Sequence, residues 1–309
     1  MAVDGARGHR LTTTNEAGVT GSVVTGVILS AVDDSEAAQG VLDTARSLAE
    51  GLRTSLVVMH VVGDGSDDAD ELVGRVRERL GDGQADVRIA TGSPAEAIRA
   101  AADSEDAEFL VVGSRGRGNL RAAVLGSVSR DLAANASRPV VVVPPGGAWT
   151  ADDGGAGTEG VSVVCGVDGS EQALAGAVFA GRLAERLYCR LVIVHARQNV
   201  KAVLSYPGAR SETPPVTGQA DSVDRVAAEV VQRAVAAADV GAKGIEEPGP
   251  PAEILESVAD REAGRLIVIT ARGLGGVRAS LLGSVAAELT AVAKRPVIVL
   301  SEAVATGAG

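Results

Sequence analysis

Four positions carry the clearest chemical signal in this sequence. Gly113, Gly116, Gly126 and Ser127 stand in the spacing Gly-x-x-Gly-x9-Gly-Ser, directly behind the apolar run Phe109-Leu110-Val111-Val112. Glycine has no Cβ, so it admits positive φ and lets a ligand approach the backbone closely. Ser127 would open a helix over SVSRDLAANA, whose unpaired N–H groups and dipole favour a phosphate. Ser127 and Ser129 add hydroxyl donors, and Arg115, Arg117 and Arg121 add positive charge. The plainer alternative is a flexible turn with glycines placed for packing. A lone Gly-x-x-Gly would not separate the two. The nine-residue gap, the Gly-Ser at a helix start and the near-repetition described below favour an anion site.

Two further features close apolar runs. Asp33 follows VTGVILSAV (24–32). A carboxylate there can accept hydrogen bonds from a ribose or help to hold a metal. It can equally cap the next helix, a task open to Asp34 or Ser35. The run LVVMHV (56–61) ends in Met59-His60-Val61, where Val61 could pack against an adenine. His60, with its counterpart His195, could serve as a catalyst. A histidine in the body of a buried strand is more often a hydrogen-bonded core residue.

What is missing narrows the chemistry. There is no Gly-x-x-x-x-Gly-Lys-Ser/Thr loop, no Gly-x-Gly-x-x-Gly behind the first run and no Gly-x-Ser-x-Gly elbow. The acids Asp67, Asp68, Asp70 and Glu71 lack calcium-loop spacing and read as the start of a solvated helix. Two cysteines exclude a disulfide framework and a cysteine-built zinc site. Cys165, in a buried strand, and Cys189, at a strand start, read as structural.

The chain repeats itself. VTGVILSAVD (24–33) matches EGVSVVCGVD (159–168), and LVVMHV (56–61) matches LVIVHA (191–196), both at an offset of 135. Further on, Gly92-Ser93-Pro94-Ala95-Glu96 matches Gly249-Pro250-Pro251-Ala252-Glu253, and FLVVGSRGRGNLRAAVLGSV (109–128) matches LIVITARGLGGVRASLLGSV (266–285). The offset there is 157, so 157 − 135 = 22 residues are inserted in the second copy, expected as a loop within 197–222. The expected organisation is a disordered tail at 1–22, a first domain at 23–145, a Gly- and acid-rich linker at 146–159, a second domain at 160–302 and a tail at 303–309.

The elements that must position these residues follow from the pattern. In 35–53, Val41, Leu42, Ala45, Leu48, Ala49 and Leu52 share one helical face, with Ser35 as N-cap. Strands are expected near 24–32, 55–62, 86–90, 108–112 and 139–143. They are Val/Ile-rich runs without polar alternation, separated by helix-length segments, which gives a doubly wound parallel α/β sheet. Ligands in such sheets bind beyond the strand C-termini at the switch in strand order. The fifth strands, PVVVV (139–143) and PVIVL (296–300), are apolar edges that call for a partner.

Composition agrees with this. The chain has 309 residues, 46% apolar but only 2% aromatic, so its core must be built from aliphatic side chains. Its formal charge of −11 argues against nucleic-acid coating or polybasic membrane binding. A local glycine loop can still bind an anion against that global charge. No apolar run approaches the ~18 residues needed to span a bilayer, and the start lacks a secretory core, so a cytoplasmic protein is expected. The Ala, Gly, Val and Arg bias points to a GC-rich bacterial genome.

Taken together, the Gly-x-x-Gly-x9-Gly-Ser loop, Asp33 and Val61 resemble the universal stress protein family in its tandem form. The resemblance implies two tandem five-stranded domains of the Rossmann-like, adenine nucleotide alpha hydrolase-like kind, paired through their fifth strands, and a cytoplasmic ATP-binding stress-response regulator. By position it implies that Ala31, Val32, Asp33 and Val61 surround adenine and ribose, and that Val112, Gly113, Arg115, Gly116, Gly126, Ser127, Val128 and Ser129 hold ribose and phosphates. The matching positions in the second copy are Val167, Asp168, Ala196, Arg272, Gly273, Gly283, Ser284 and Val285. Mg²⁺ would accompany the triphosphate. A regulatory protein partner is implied without being named by the sequence, and association of tandem units into a homodimer stays open.

The second copy departs at Thr270, which replaces the first glycine. If that glycine has positive φ, threonine costs ~1–2 kcal/mol there, and its side chain would obstruct the nucleotide. The first domain would then be the stronger site. The alternative is that the threonine is tolerated and its hydroxyl assists binding. No residue is a convincing general base or phosphoryl acceptor, so no catalytic residue is assigned. Slow ATP hydrolysis or phosphotransfer and a nucleotide-independent interaction module remain the alternatives.

Overall fold

The computed structural model describes residues 26–33, 35, 37–62, 69–81, 85–116, 125–149, 160–197, 218–273 and 282–307. The first half runs β1 (Val27–Ala31), α1 (Ala37–Leu52), β2 (Ser55–Val62), α2 (Ala69–Leu80), β3 (Asp86–Thr91), α3 (Pro94–Ser104), β4 (Ala107–Gly113), α4 (Ser127–Asn135) and β5 (Val140–Val143). The second runs β6 (Ser162–Gly166), α5 (Glu171–Arg186), β7 (Arg190–Arg197), α6 (Gly218–Ala238), β8 (Ala242–Pro248), α7 (Pro251–Arg261), β9 (Gly264–Thr270), α8 (Ser284–Val292) and β10 (Val297–Leu300). A short helix, α9 (Glu302–Ala305), follows.

Among the described residues ten strands form one sheet in the order β3-β2-β1-β4-β5-β10-β9-β6-β7-β8. Pairing is parallel within each half. The halves join where β5 and β10 run antiparallel, with Val141 opposite Ile298. The fifth strands therefore pair as expected, each covering the other's edge. In both halves the strand order reverses between the first and fourth strands, which opens a crevice at their C-terminal ends.

Alternation along the strands builds two aliphatic layers. Ile28, Val58, Val111 and Val141 face α1 and α5, packing with Leu48 and Leu183. Leu29, Val57, Leu110 and Val142 face the other way, onto Ile98 of α3, Leu132 of α4 and Leu255 of α7. Both layers run through both halves. Phe109 of β4 and Phe179 of α5 meet edge-on across the seam, their centroids 5.9 Å apart, and Arg186 pairs with Glu108 across the same boundary. The repeat extends to backbone detail. Arg53 and Tyr188 hold positive φ at equivalent helix exits, as do Asp106 and Ala263.

Several expectations are corrected. Residues 218–222, expected as loop, are helical. α6 has 21 residues against 12 in α2, so part of the insertion lengthens a helix. Residues 198–217 lie outside the described residues, as do 1–22, Asp67 and Asp68. The tail expected from 303 forms α9, capped by the Ser301 hydroxyl, which accepts from Val304 N. The start of the linker is packed, not free: Trp149 is buried, and its backbone N–H donates to Thr44 Oγ1 at 3.0 Å. Among the described residues no helix is long and apolar enough to cross a membrane.

Burial pushes the Cys165 thiol up to about 12. At pH 8 almost none of it is thiolate, the reactive form. A thiol reagent should leave Cys165 unmodified in the folded protein and label it once urea unfolds the chain. Rapid labelling of native Cys165 would contradict its burial.

Candidate functional site

The crevice of the first half is a cleft of roughly 410 Å³ at the C-terminal ends of β1, β2 and β4. One wall is apolar. Ala31 and Val32 at the end of β1, Val61 in β2 and Val112 in β4 line it, joined by Ala38 and Val41 of α1 and Pro94 and Ile98 of α3. The other wall is the glycine loop, with Gly113, Arg115, Gly116 and Gly126 leading into Ser127, Val128 and Ser129 at the start of α4. All twelve first-half candidates line this one cleft. Arg117 and Arg121 lie outside the described residues.

The acid and the loop form a single unit. Asp33 Oδ1 accepts from the Ser35 backbone N–H at 3.1 Å and from the Ser35 hydroxyl at 2.5 Å. That hydroxyl therefore braces the acid, whereas Ser170 of the second half caps α5 by accepting from Ala173 N. A Cβ on Gly116 would lie 2.7 Å from Asp33 Oδ2. The second motif glycine is thus required by the close approach of a carboxylate.

The first motif glycine serves a different purpose. None of Gly113, Gly116 and Gly126 has a left-handed φ. The backbone-strain argument against Thr270 therefore falls. A Cβ on Gly113 would meet Arg115 O at 3.0 Å and a Val41 methyl at 3.3 Å. In the second half the residue at the Val41 position is Gly176, where a Cβ would meet the Thr270 methyl at 3.2 Å. The two halves have exchanged the large and the small residue across one contact.

Bracing of the loop is exchanged too. Ser129 Oγ donates to Gly113 O at 2.5 Å, which commits its proton and leaves it a strut where a phosphate donor was expected. Ala286 replaces it in the second half, and there Thr270 Oγ1 donates to Arg272 O at 2.7 Å. Gly126 is the N-cap of α4, with φ −59°. The first-turn N–H groups behind it, with the exposed Ser127 hydroxyl, are the donors an anion would meet.

His60 is a core residue: buried, with its Nδ1 2.7 Å from Val32 O. The proton sits on Nδ1 to make that bond. It fixes the backbone just ahead of Asp33. His195 does the same with Val167 O at 2.8 Å.

The second cleft, of roughly 640 Å³, is lined by Val167, Asp168, Ala196, Arg272, Gly273, Gly283, Ser284 and Val285, all eight second-half candidates, with Thr270 among them. A Cβ on Gly273 would fall inside the contact radius of Asp168 Oδ2, so the acid–glycine unit is kept. Sequence reasoning missed the wall formed by Ala38, Val41, Pro94 and Ile98. Its one available signal was the repetition of Pro94 as Pro251, each at a helix start beside a cleft. Among the described residues no group of three or more His, Cys, Asp or Glu could hold a metal ion.

The family model described as universal stress protein family matches residues 65–144 and 162–301, one stretch in each half. The chain belongs to the universal stress protein family. It is 31% identical over 210 residues to a universal stress protein of Mycobacterium tuberculosis, covering 68% of this chain and 67% of that one. A second universal stress protein of the same organism is 31% identical over 196 residues, covering 63% of this chain. The match spans 62% of that relative's own length. Among solved structures, a universal stress protein from Archaeoglobus fulgidus superposes with a TM-score of 0.62 at 19% identity, covering 90% of this chain and 97% of that one. A Pseudomonas aeruginosa protein of unknown function gives 0.64 at 16% identity, covering 91% and 94%. These likenesses show that the α/β sheet architecture is that of the family.

Proposed function

We propose that this universal stress protein binds ATP and acts in the cytoplasm as a nucleotide-dependent stress-response regulator. On this reading the units 23–145 and 160–302 each carry one site, the first the stronger. The observation that carries it is the convergence, in one cleft, of the α4 N-terminus, the glycine loop, Arg115 and the Asp33 carboxylate beside an aliphatic wall. Each part matches one part of the ligand. The wall suits adenine, and with aromatics so scarce the base would rest on Val61 and its aliphatic neighbours. Asp33 suits the ribose hydroxyls. The helix terminus and Arg115 suit phosphate. The cleft volume falls in the range of small-ligand sites.

Magnesium would be held mainly by the phosphates, because among the described residues the one carboxylate lining the first cleft is Asp33, and it already accepts two bonds from Ser35. Regulation follows if ATP occupancy alters the loop surface that a partner protein reads. Among the described residues of the first cleft, Ser129 has its proton committed to Gly113 O, and His60 donates from Nδ1 to Val32 O with its Nε2 buried and without a hydrogen-bond partner.

Denaturing the purified protein and identifying any released nucleotide tests this. The expected result is ATP, or an ATP-dependent rise in melting temperature if the site is empty after purification. A ligand at 100 times its Kd stabilises the fold by about 2.7 kcal/mol. ADP with linear phosphate release would turn the reading towards a slow ATPase. No nucleotide and no thermal response would overturn it.

A further inference from the structure

Arg272 follows β9 at the mouth of the second cleft, the place that Arg115 holds in the first. It is not available in the same way. Arg272 Nη1 donates to Glu302 Oε2 at 2.5 Å, with the arginine side chain only 17% exposed and the glutamate 55%. Glu302 opens α9, and that helix is tied in place. The Ser301 hydroxyl donates to Ala136 O at 2.6 Å, at the end of α4 in the other half. Counting back by the repeat offset, the residue matching Glu302 is Pro145, which carries no charge. Among the described residues Arg115 has no ion-pair partner. The two clefts thus share an acid–glycine unit and a helix terminus and differ in the charge left on their arginine.

We propose that Glu302 is a built-in competitor for phosphate, so that the second cleft selects adenine ligands of low phosphate charge while the first takes the triphosphate. The inference rests on the nucleotide reading above. A triphosphate entering the second cleft must either take Arg272 from Glu302 or sit beside the glutamate's negative charge, with the Asp168 carboxylate also in the cleft wall. Either outcome weakens binding more as phosphates are added. Adenosine meets neither penalty. Because Glu302 is more than half exposed, the discrimination is screened by salt.

The test is calorimetry on the full chain at low ionic strength with ATP, AMP and adenosine, comparing the wild type with Glu302→Gln. Arg115→Gln, which weakens the first event, assigns the two sites. The expected result is that Glu302→Gln tightens ATP at the second cleft about tenfold, AMP less, and adenosine less than about twofold. The gain should shrink as salt is raised, and Arg272→Gln combined with Glu302→Gln should remove it. Circular dichroism checks that the exposed substitution leaves the fold intact. An unchanged second-site ATP affinity, or an equal gain for adenosine, would overturn the competitor while leaving the first site standing. If ATP binds neither cleft in either protein, the nucleotide reading itself falls and this inference with it.

Discussion

Replacing Gly116 with alanine is expected to cut the ATP-dependent rise in melting temperature by about half or more, while Gly126→Ala leaves the fold near wild-type stability. The two glycines belong to one motif but answer to different neighbours. At Gly116 the new methyl would stand 2.7 Å from Asp33 Oδ2, closer than Cβ atoms tolerate. The carboxylate cannot easily retreat, because its other oxygen accepts from both the Ser35 N–H and hydroxyl. Either the loop lifts off the cleft or the acid turns away, and each outcome separates the groups placed for ribose from those placed for phosphate. A loss of at least about tenfold in affinity, 1.4 kcal/mol, is expected. Gly126 has φ −59° and room for a Cβ, with Ser114 O at 3.5 Å as the nearest atom. Its alanine variant should unfold within about 0.5 kcal/mol of the wild type. Any ATP affinity lost there is then lost at the ligand. Differential scanning fluorimetry with and without ATP separates the cases. An undiminished ATP shift in Gly116→Ala would sink the acid–glycine account of the site.

Asp33→Ala combined with Gly116→Ala sharpens the same point. Removing the carboxylate removes the clash, so the double variant should recover stability lost by Gly116→Ala alone. It should not recover ATP binding, because the ribose acceptor is gone. Non-additivity of this kind between touching residues is what a direct contact predicts.

Much of this was legible in residue types and spacing, for identifiable reasons. The strands were readable because both sheet faces are covered, so each strand is an unbroken Val/Ile run. The seam was readable because apolar fifth strands cannot be left as edges. The cleft was readable because glycines, an acid and a helix start fall at strand ends, where a doubly wound sheet places its ligands. Contacts between segments distant in the chain were not readable. Nothing near Gly113 shows that Val41 lies above it, nor does Ser129 reveal that its proton goes to Gly113 O. Glu302 is the last residue of the expected second domain with no element assigned to it, and its reach to Arg272 depends on Ser301 tying α9 to the other half. The two readings of Thr270 stay open in the sequence for the same reason. Which one holds depends on the φ of the first motif glycine and on what faces it, and the contacts there are Arg115 O and a Val41 side chain on a facing helix.

That exchange yields the second large effect. Gly113→Thr in the first half is expected to destabilise the protein by about 2 kcal/mol, in the range for overpacking a fitted core. Val41, 2% exposed, would receive the new methyl at closer than ordinary contact. Val41→Ala alone should cost about 1–2 kcal/mol through the space it leaves. Together the two should cost less than their sum by at least 1 kcal/mol, because each removes the other's fault, as Thr270 and Gly176 do in the second half. The reverse cycle, Gly176→Val with Thr270→Gly, should show the same sign of coupling. Urea unfolding of the singles and doubles measures it, and additivity within about 0.5 kcal/mol in both cycles would refute the exchange. The consequence reaches the sites. If threonine and glycine are interchangeable once the facing residue is matched, loss of the first motif glycine says nothing about whether the second cleft can take a nucleotide. The difference between the halves then lies in charge, at Arg115 and Arg272, and not in the backbone of the loop.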